Sequence, residues 1–104
     1  LLPPGLKHTA TGKIDMRERD IEEYLVKRVK AMGGIAYKFT SPQRVNVPDR
    51  IVALPGLAVV FVELKAPGVK PNQGQLREHT RLRELGQCVV VIDSLAGVEE
   101  LLNV

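Results

Sequence analysis

The segment at residues 57–64 constrains the chain more than any other. Leu57, Ala58, Val59, Val60, Phe61 and Val62 are apolar without a break. Side chains of a strand alternate between its two faces, so both faces of this one need cover. A strand with that demand belongs inside a sheet and not at its edge. Charge enters only at its end, as Glu63 and Lys65. Standing two apart, they share a face, and an acid beside a base on a buried strand is costly unless the protein uses them.

The other elements can be read outward from that strand. Residues 1–15 have neither helical nor strand periodicity, and Met16 directly precedes a helix signal. The expectation is a tag or flexible arm over 1–15 and one domain over 16–104. Across residues 17–32 the apolar Ile21, Leu25, Val29 and Met32 recur at helical spacing until Gly33 and Gly34 stop them. On that helix Glu22 falls on the core-facing arc with Leu25, Val26 and Val29, whereas Glu23 points away. Glu18 shares roughly the direction of Glu22, but an acid in a first turn also suits the helix dipole.

Residues 35–39 read as a short strand and 41–47 as a loop leading into Pro48 and Asp49. Residues 50–54 then form a strand that a tight turn at Pro55 and Gly56 joins to 57–64 as a hairpin. Asn72 is a good N-cap with Gln75 in capping-box position, and the helix it opens runs to about Leu85, with Leu76, Leu82 and Leu85 on one side. Residues 88–92 form an apolar strand, and strand, helix, strand in succession implies parallel pairing through a right-handed crossover. Ser94 caps a short closing helix over 94–102. The reading is an α/β domain with a mixed central β-sheet flanked by α-helices.

Bulk properties narrow the function only loosely. The 104 residues suit one small domain, and no stretch reaches the ~20 apolar residues of a membrane span, so a soluble protein without a membrane partner is expected. The single cysteine, Cys88, lies in an apolar run and reads as a buried thiol in a reduced, intracellular setting. A net charge of +3 suits a polyanion without demanding one. Two Tyr, two Phe and no Trp leave few platforms for stacking unpaired bases, which disfavours a dedicated single-strand binder.

The hairpin supplies chemistry. It carries Asp49, at the start of one strand, back alongside the end of the strand bearing Glu63, so two carboxylates can converge into a hard-oxygen site for Mg²⁺ or Mn²⁺, with the backbone carbonyl of Leu64 as a third ligand. With a phosphodiester bound, Lys65 is placed to orient the attacking water or to neutralise charge building on phosphorus. Glu22 can join from the first helix, through a water or a second ion, and Gln75 can hydrogen-bond the water or a phosphate at a helix end that favours anions. Among the flanking cations Lys38, Arg44, Arg50, Lys70, Arg77 and Arg81, the candidates for DNA contact are Lys38, Arg44 and Lys70.

Pro48-Asp49 followed by Glu63-Leu64-Lys65 resembles the PD-(D/E)xK nuclease signature, and the text VPDRIVALPGLAVVFVELKAPGVKPNQGQ resembles the VRR-NUC family of that superfamily. The resemblance covers residues 16–102. It implies a restriction-endonuclease-like core, a divalent-metal-dependent DNA endonuclease, a helix glutamate at Glu22, metal carboxylates at Asp49 and Glu63, the lysine at Lys65 and the glutamine at Gln75, with Gln73 as the alternative. It also implies a phage or bacterial protein, inside a bacterium or an infected host cell, that dimerises and cuts branched DNA such as four-way (Holliday) junctions. Many members have glycine two residues before Pro-Asp, where this chain has Asn46, a residue that tolerates left-handed backbone angles.

Less specific readings compete. A bare Glu-x-Lys on a strand is usually a solvated ion pair, Gln75 is accounted for by capping, and His79 reads as a packed or surface histidine outside the site. The two histidines and one cysteine form no zinc pattern. The functional alternatives are a non-catalytic DNA-binding module with a nuclease-like fold and a small interaction domain unrelated to nucleic acid.

Overall fold

Seven elements follow one another in the computed structural model, which describes residues 16–103: α1 (Glu18–Ala31), β1 (Ile35–Lys38), β2 (Arg50–Ala53), β3 (Val60–Leu64), α2 (Gln73–Glu84), β4 (Cys88–Ile92) and α3 (Leu95–Leu102). The arm expected over residues 1–15 lies outside the described residues. Each expected helix and strand is present, with ends shifted by a residue or so except at β3. The caps are those read from sequence: the Asn72 side chain accepts from Gln75 N, Gln75 returns the bond to Asn72 N, and Ser94 caps α3.

The strands form one mixed sheet in the order β1-β2-β3-β4, antiparallel through the first three and parallel between β3 and β4. The apolar strand thus lies inside the sheet, between β2 and β4. One face is closed by α1 and α3. Ile21, Leu25 and Val29 of α1 meet Ala36, Val52, Val62, Leu64 and Ile92 of the sheet and Val98 and Leu102 of α3 in a single buried cluster. Glu99 ties the two helices together, accepting from Arg28 Nε and Tyr24 Oη at 2.8 Å each. Those two donors hold the Glu99 carboxyl down at about 2, well below the ordinary carboxylate range. Among the described residues no helix is long and apolar enough to cross a membrane.

Three expectations are corrected. The return strand starts at Val60 and not at residue 57, because Val52↔Val60 is the last pair of the hairpin; Leu57 and Val59 stand exposed in a connection longer than a tight turn. Cys88 is exposed, because it opens an edge strand. The leucine side is not the buried side of α2: Leu85, at the C-cap, is 70% exposed, Leu76 is exposed and Leu82 is half-buried, while Glu78 and His79 are turned inward. A polar inner face on α2 follows from what lies beneath it, since α2 covers the part of the sheet that carries Glu63.

Candidate metal centre

Strand register sets the centre. Arg50 pairs with Val62, so one step further along the hairpin Asp49 stands opposite Glu63, and both alternate to the face away from α1 and α3. The β2–β3 ladder stops at Arg50↔Val62, and beyond it the Asp49 side chain takes over the pairing: its Oδ2 accepts the backbone N–H of Leu64 at 2.7 Å. A strand residue sends its N–H and C=O to the same neighbour, so the Leu64 carbonyl is directed toward the Asp49 side as well. Lys65 lies on the face of Glu63, two residues on.

Glu63 is 2% exposed. Burial, then the hydrogen bond to and negative charge of Asp49, push its carboxyl up to about 8, against the pull of Lys65. Beside Asp49, Glu63 therefore holds its proton more tightly than an ordinary carboxyl does. The far side of Glu63 is held by α2. Gln75 Nε2 lies 3.4 Å from its Oε2 and His79 Nε2 3.1 Å from its Oε1. The glutamine that reaches the centre is therefore Gln75 and not the exposed Gln73, and it serves as cap and contact at once, since its Oε1 accepts Asn72 N.

Glu22 stands elsewhere. Arg50 and Lys38 alternate to the opposite sheet face, toward α1, and there Glu22 Oε2 accepts from Arg50 Nε at 2.9 Å and Lys38 Nζ at 3.2 Å. Burial works against its charge, but these two donors win and hold the Glu22 carboxyl below its ordinary range. The α1 carboxylate whose charge reaches Glu63 is Glu18, one turn earlier, which adds to the upward push there. Periodicity gives Glu18 and Glu22 roughly the same direction around the helix, and the helix dipole offers a separate reason for an acid at Glu18 in the first turn.

Two of the three cations singled out for DNA are engaged within the protein: Lys38 with Glu22, and Arg44 with Glu78 at 3.0 Å. Lys70 is exposed and has no ion-pair partner among the described residues. Arg44, Arg77 and Arg81 line a cleft of about 260 Å³ between the β1–β2 loop and α2. His79 was missed by reading the sequence, although a signal was there: it follows Gln75 by four residues, so the two share one helix face.

The donor set fits a small hard cation. Among the described residues no group of three or more His, Cys, Asp and Glu gathers for a metal. Two carboxylates and a peptide carbonyl are instead what Mg²⁺ takes from proteins when it keeps much of its water. The raised proton affinity of Glu63 is the electrostatic strain that a cation between it and Asp49 would relieve.

No family profile matches the chain. A protein of Acyrthosiphon pisum secondary endosymbiont phage 1, described as "Putative nuclease p44", is 60% identical over 79 residues, 76% of this chain and 85% of its own length. A solved structure described as a VRR_NUC domain is 37% identical, with a TM-score of 0.76 over 82% of this chain and 92% of that one. With that identity and coverage, on a mixed four-stranded sheet flanked by helices, the chain belongs to the VRR-NUC family.

Proposed function

We propose that the protein is a divalent-metal-dependent DNA endonuclease. The observation that carries this reading is the opposition of Asp49 and Glu63 at the end of the hairpin, with Lys65 beside them and the Glu63 carboxyl pushed up by its neighbour. Asp49, Glu63 and the Leu64 carbonyl would hold Mg²⁺ or Mn²⁺, with Glu18 as the α1 carboxylate acting through water in the role first given to Glu22. The ion, when bound, supplies Lewis-acid polarisation of the scissile phosphate.

The chain's own residues do the remaining work. Leu64 N–H fixes one oxygen of Asp49, which leaves its other oxygen directed by the strand pairing. The Lys65 ammonium neutralises charge that develops on phosphorus and orients the attacking water. Arg77 on α2 and Lys70 in the loop before it take up the flanking phosphates, beside a cleft that Arg44 and Arg81, both paired with Glu78, also line. The relation to the phage protein described as a nuclease supports the same activity.

Branched DNA such as a four-way junction is the proposed substrate, cut by a homodimer whose two centres act on paired strands. Ile35, Tyr37 and Val91, exposed on the sheet face away from α1 and α3, support a further partner surface. The test is cleavage of a labelled four-way junction, a nicked duplex and a linear duplex with Mg²⁺ or Mn²⁺, by wild type, Asp49→Ala and Lys65→Ala. Both variants are expected to lose ~10²-fold or more in rate. Equal product from all three would end the nuclease reading, and equal rates on all DNAs would end the junction preference.

A further inference from the structure

His79 is fully buried, among the few polar or charged side chains that are. Its Nε2 lies 3.1 Å from Glu63 Oε1, and its Nδ1, equally buried, finds no partner among the described residues. That asymmetry decides the tautomer. A buried N–H without an acceptor is rarer and costlier than an unmet acceptor, so the ring proton belongs on Nε2. His79 is therefore a donor to Glu63 and not an acceptor from it.

Glu63 then has one lone pair on each oxygen occupied from α2, Oε1 by His79 and Oε2 by Gln75. A carboxylate offers about four acceptor sites. The two left over are free for a further partner, and Asp49 stands opposite Glu63 within hydrogen-bonding reach. Because Gln75 and His79 are one helical turn apart on α2, they grip the two oxygens as a pair, and the capping bonds of Gln75 to Asn72 fix where that turn begins. A glutamate on a strand has three rotatable side-chain bonds, and without such a grip it would sample positions from which it cannot share an ion with Asp49.

We propose that His79 is a positioning residue for the metal carboxylate Glu63, its Nε2–H holding Oε1 so that the free lone pairs meet a divalent cation together with Asp49. This rests on the nuclease reading above, in which Glu63 is a metal ligand.

The experiment measures Mn²⁺ affinity by calorimetry and by electron paramagnetic resonance, beside junction cleavage, for wild type, His79→Leu, His79→Gln and Asp49→Asn. Leucine removes the donor while keeping apolar volume; glutamine returns an N–H at the same distance along the chain. Loss of ~10- to 100-fold in Mn²⁺ affinity for H79L, with recovery to within about threefold in H79Q, is the expected result. Wild-type affinity in H79L, or an equal loss in both His79 variants, overturns the role. Asp49→Asn separates the two levels: an inactive D49N beside a fully active H79L refutes only the positioning role, whereas an active D49N refutes the nuclease reading itself. Should H79L fail to fold, the wild-type protein still decides, through the ring-nitrogen resonances of ¹⁵N-histidine. The expected spectrum is the Nε2–H form, shifted on adding Mg²⁺. An Nδ1–H form, or a ring that ignores the ion, overturns the proposal.

Discussion

Arg50 Nε stands 2.9 Å from Glu22 Oε2, and this pair lies on the sheet face opposite to Glu63. Glu22 is therefore a structural anchor that joins α1 to the ends of β1 and β2, while the charge of Glu18, one turn earlier, adds to the upward push on Glu63. Both groups of the pair are largely buried, so leaving Arg50 without its carboxylate is expected to cost about 1–3 kcal/mol. Glu22→Gln should lower the melting temperature, and Glu18→Gln should lower cleavage and Mn²⁺ affinity at an unchanged melting temperature. Thermal melts and rate measurements on the two variants check this; the reverse pattern would return Glu22 to the metal centre.

How far the sequence foretold this centre depends on which kind of information each residue carries. Asp49, Glu63 and Lys65 were legible because strand alternation and a hairpin fix facing and proximity together. The helix residues were harder. Amphipathic periodicity places Glu22 on the buried arc, where it is, but cannot say whether that arc meets the metal centre or an arginine. In α2 periodicity misleads, since Leu76 and Leu85 stand exposed and Leu82 is only half-buried, while Glu78 and His79 turn inward. That inversion arises because one turn of α2 lies over Glu63, which Gln75 and His79 contact, and no local pattern within the helix reports a carboxylate on the strand beneath it. The early start assigned to β3 has a related cause: an apolar run marks burial potential, whereas the strand begins only where β2 supplies a partner, at Val60.

Metal-free protein should lose stability as pH rises. The Glu63 carboxyl goes from an ordinary value of 4.5 to about 8 in the fold. Between those values the folded chain keeps a proton that the unfolded chain has released, so raising the pH favours unfolding. The stabilising contribution is complete below 4.5 and exhausted above about 8. Denaturant titrations of chelator-treated protein at pH 5, 6.5 and 8.5 are expected to give a falling midpoint. Glu63→Gln should flatten the slope, and Mg²⁺ should raise the wild-type midpoint most at pH 8.5. A midpoint that rises over this range would contradict the arrangement of the two acids.

At the other end of the domain the pH dependence has the opposite sign. Arg28 and Tyr24 depress the Glu99 carboxyl from 4.5 to about 2, so its contribution is present above 4.5 and lost as pH falls through that interval. Glu99 is partly exposed, and solvent limits the size of the effect. The measurement is acid unfolding followed by circular dichroism. Glu99→Gln is expected to shift the transition little below pH 2 and to lower stability at pH 6, where the wild type has the full ion pair. Equal stability of the two proteins at pH 6 would mean that α3 is held to α1 by apolar packing alone.

The loop that delivers Asp49 is pressed against the first turn of α2, and two small-residue choices make this possible. Asn46 adopts a left-handed φ of 67°, as its side chain permits. A Cβ at Gly74 would lie 2.5 Å from Asn46 Nδ2 and 3.0 Å from its Cγ. Alanine at 74 would gain up to ~1 kcal/mol from helix propensity, but displacing the Asn46 side chain offsets that gain by about 1–2 kcal/mol. Gly74→Ala is thus expected to be neutral or destabilising alone and to reduce cleavage, since Pro48 and Asp49 follow Asn46 directly. In an Asn46→Gly background the obstruction is gone and glycine accepts the same backbone angle, so Gly74→Ala should become stabilising. A double-mutant cycle read by denaturant midpoint and by junction cleavage measures the coupling. If the two substitutions add independently, the contact between loop and helix does not govern where Asp49 sits, and the register of β2 against β3 must do so unaided.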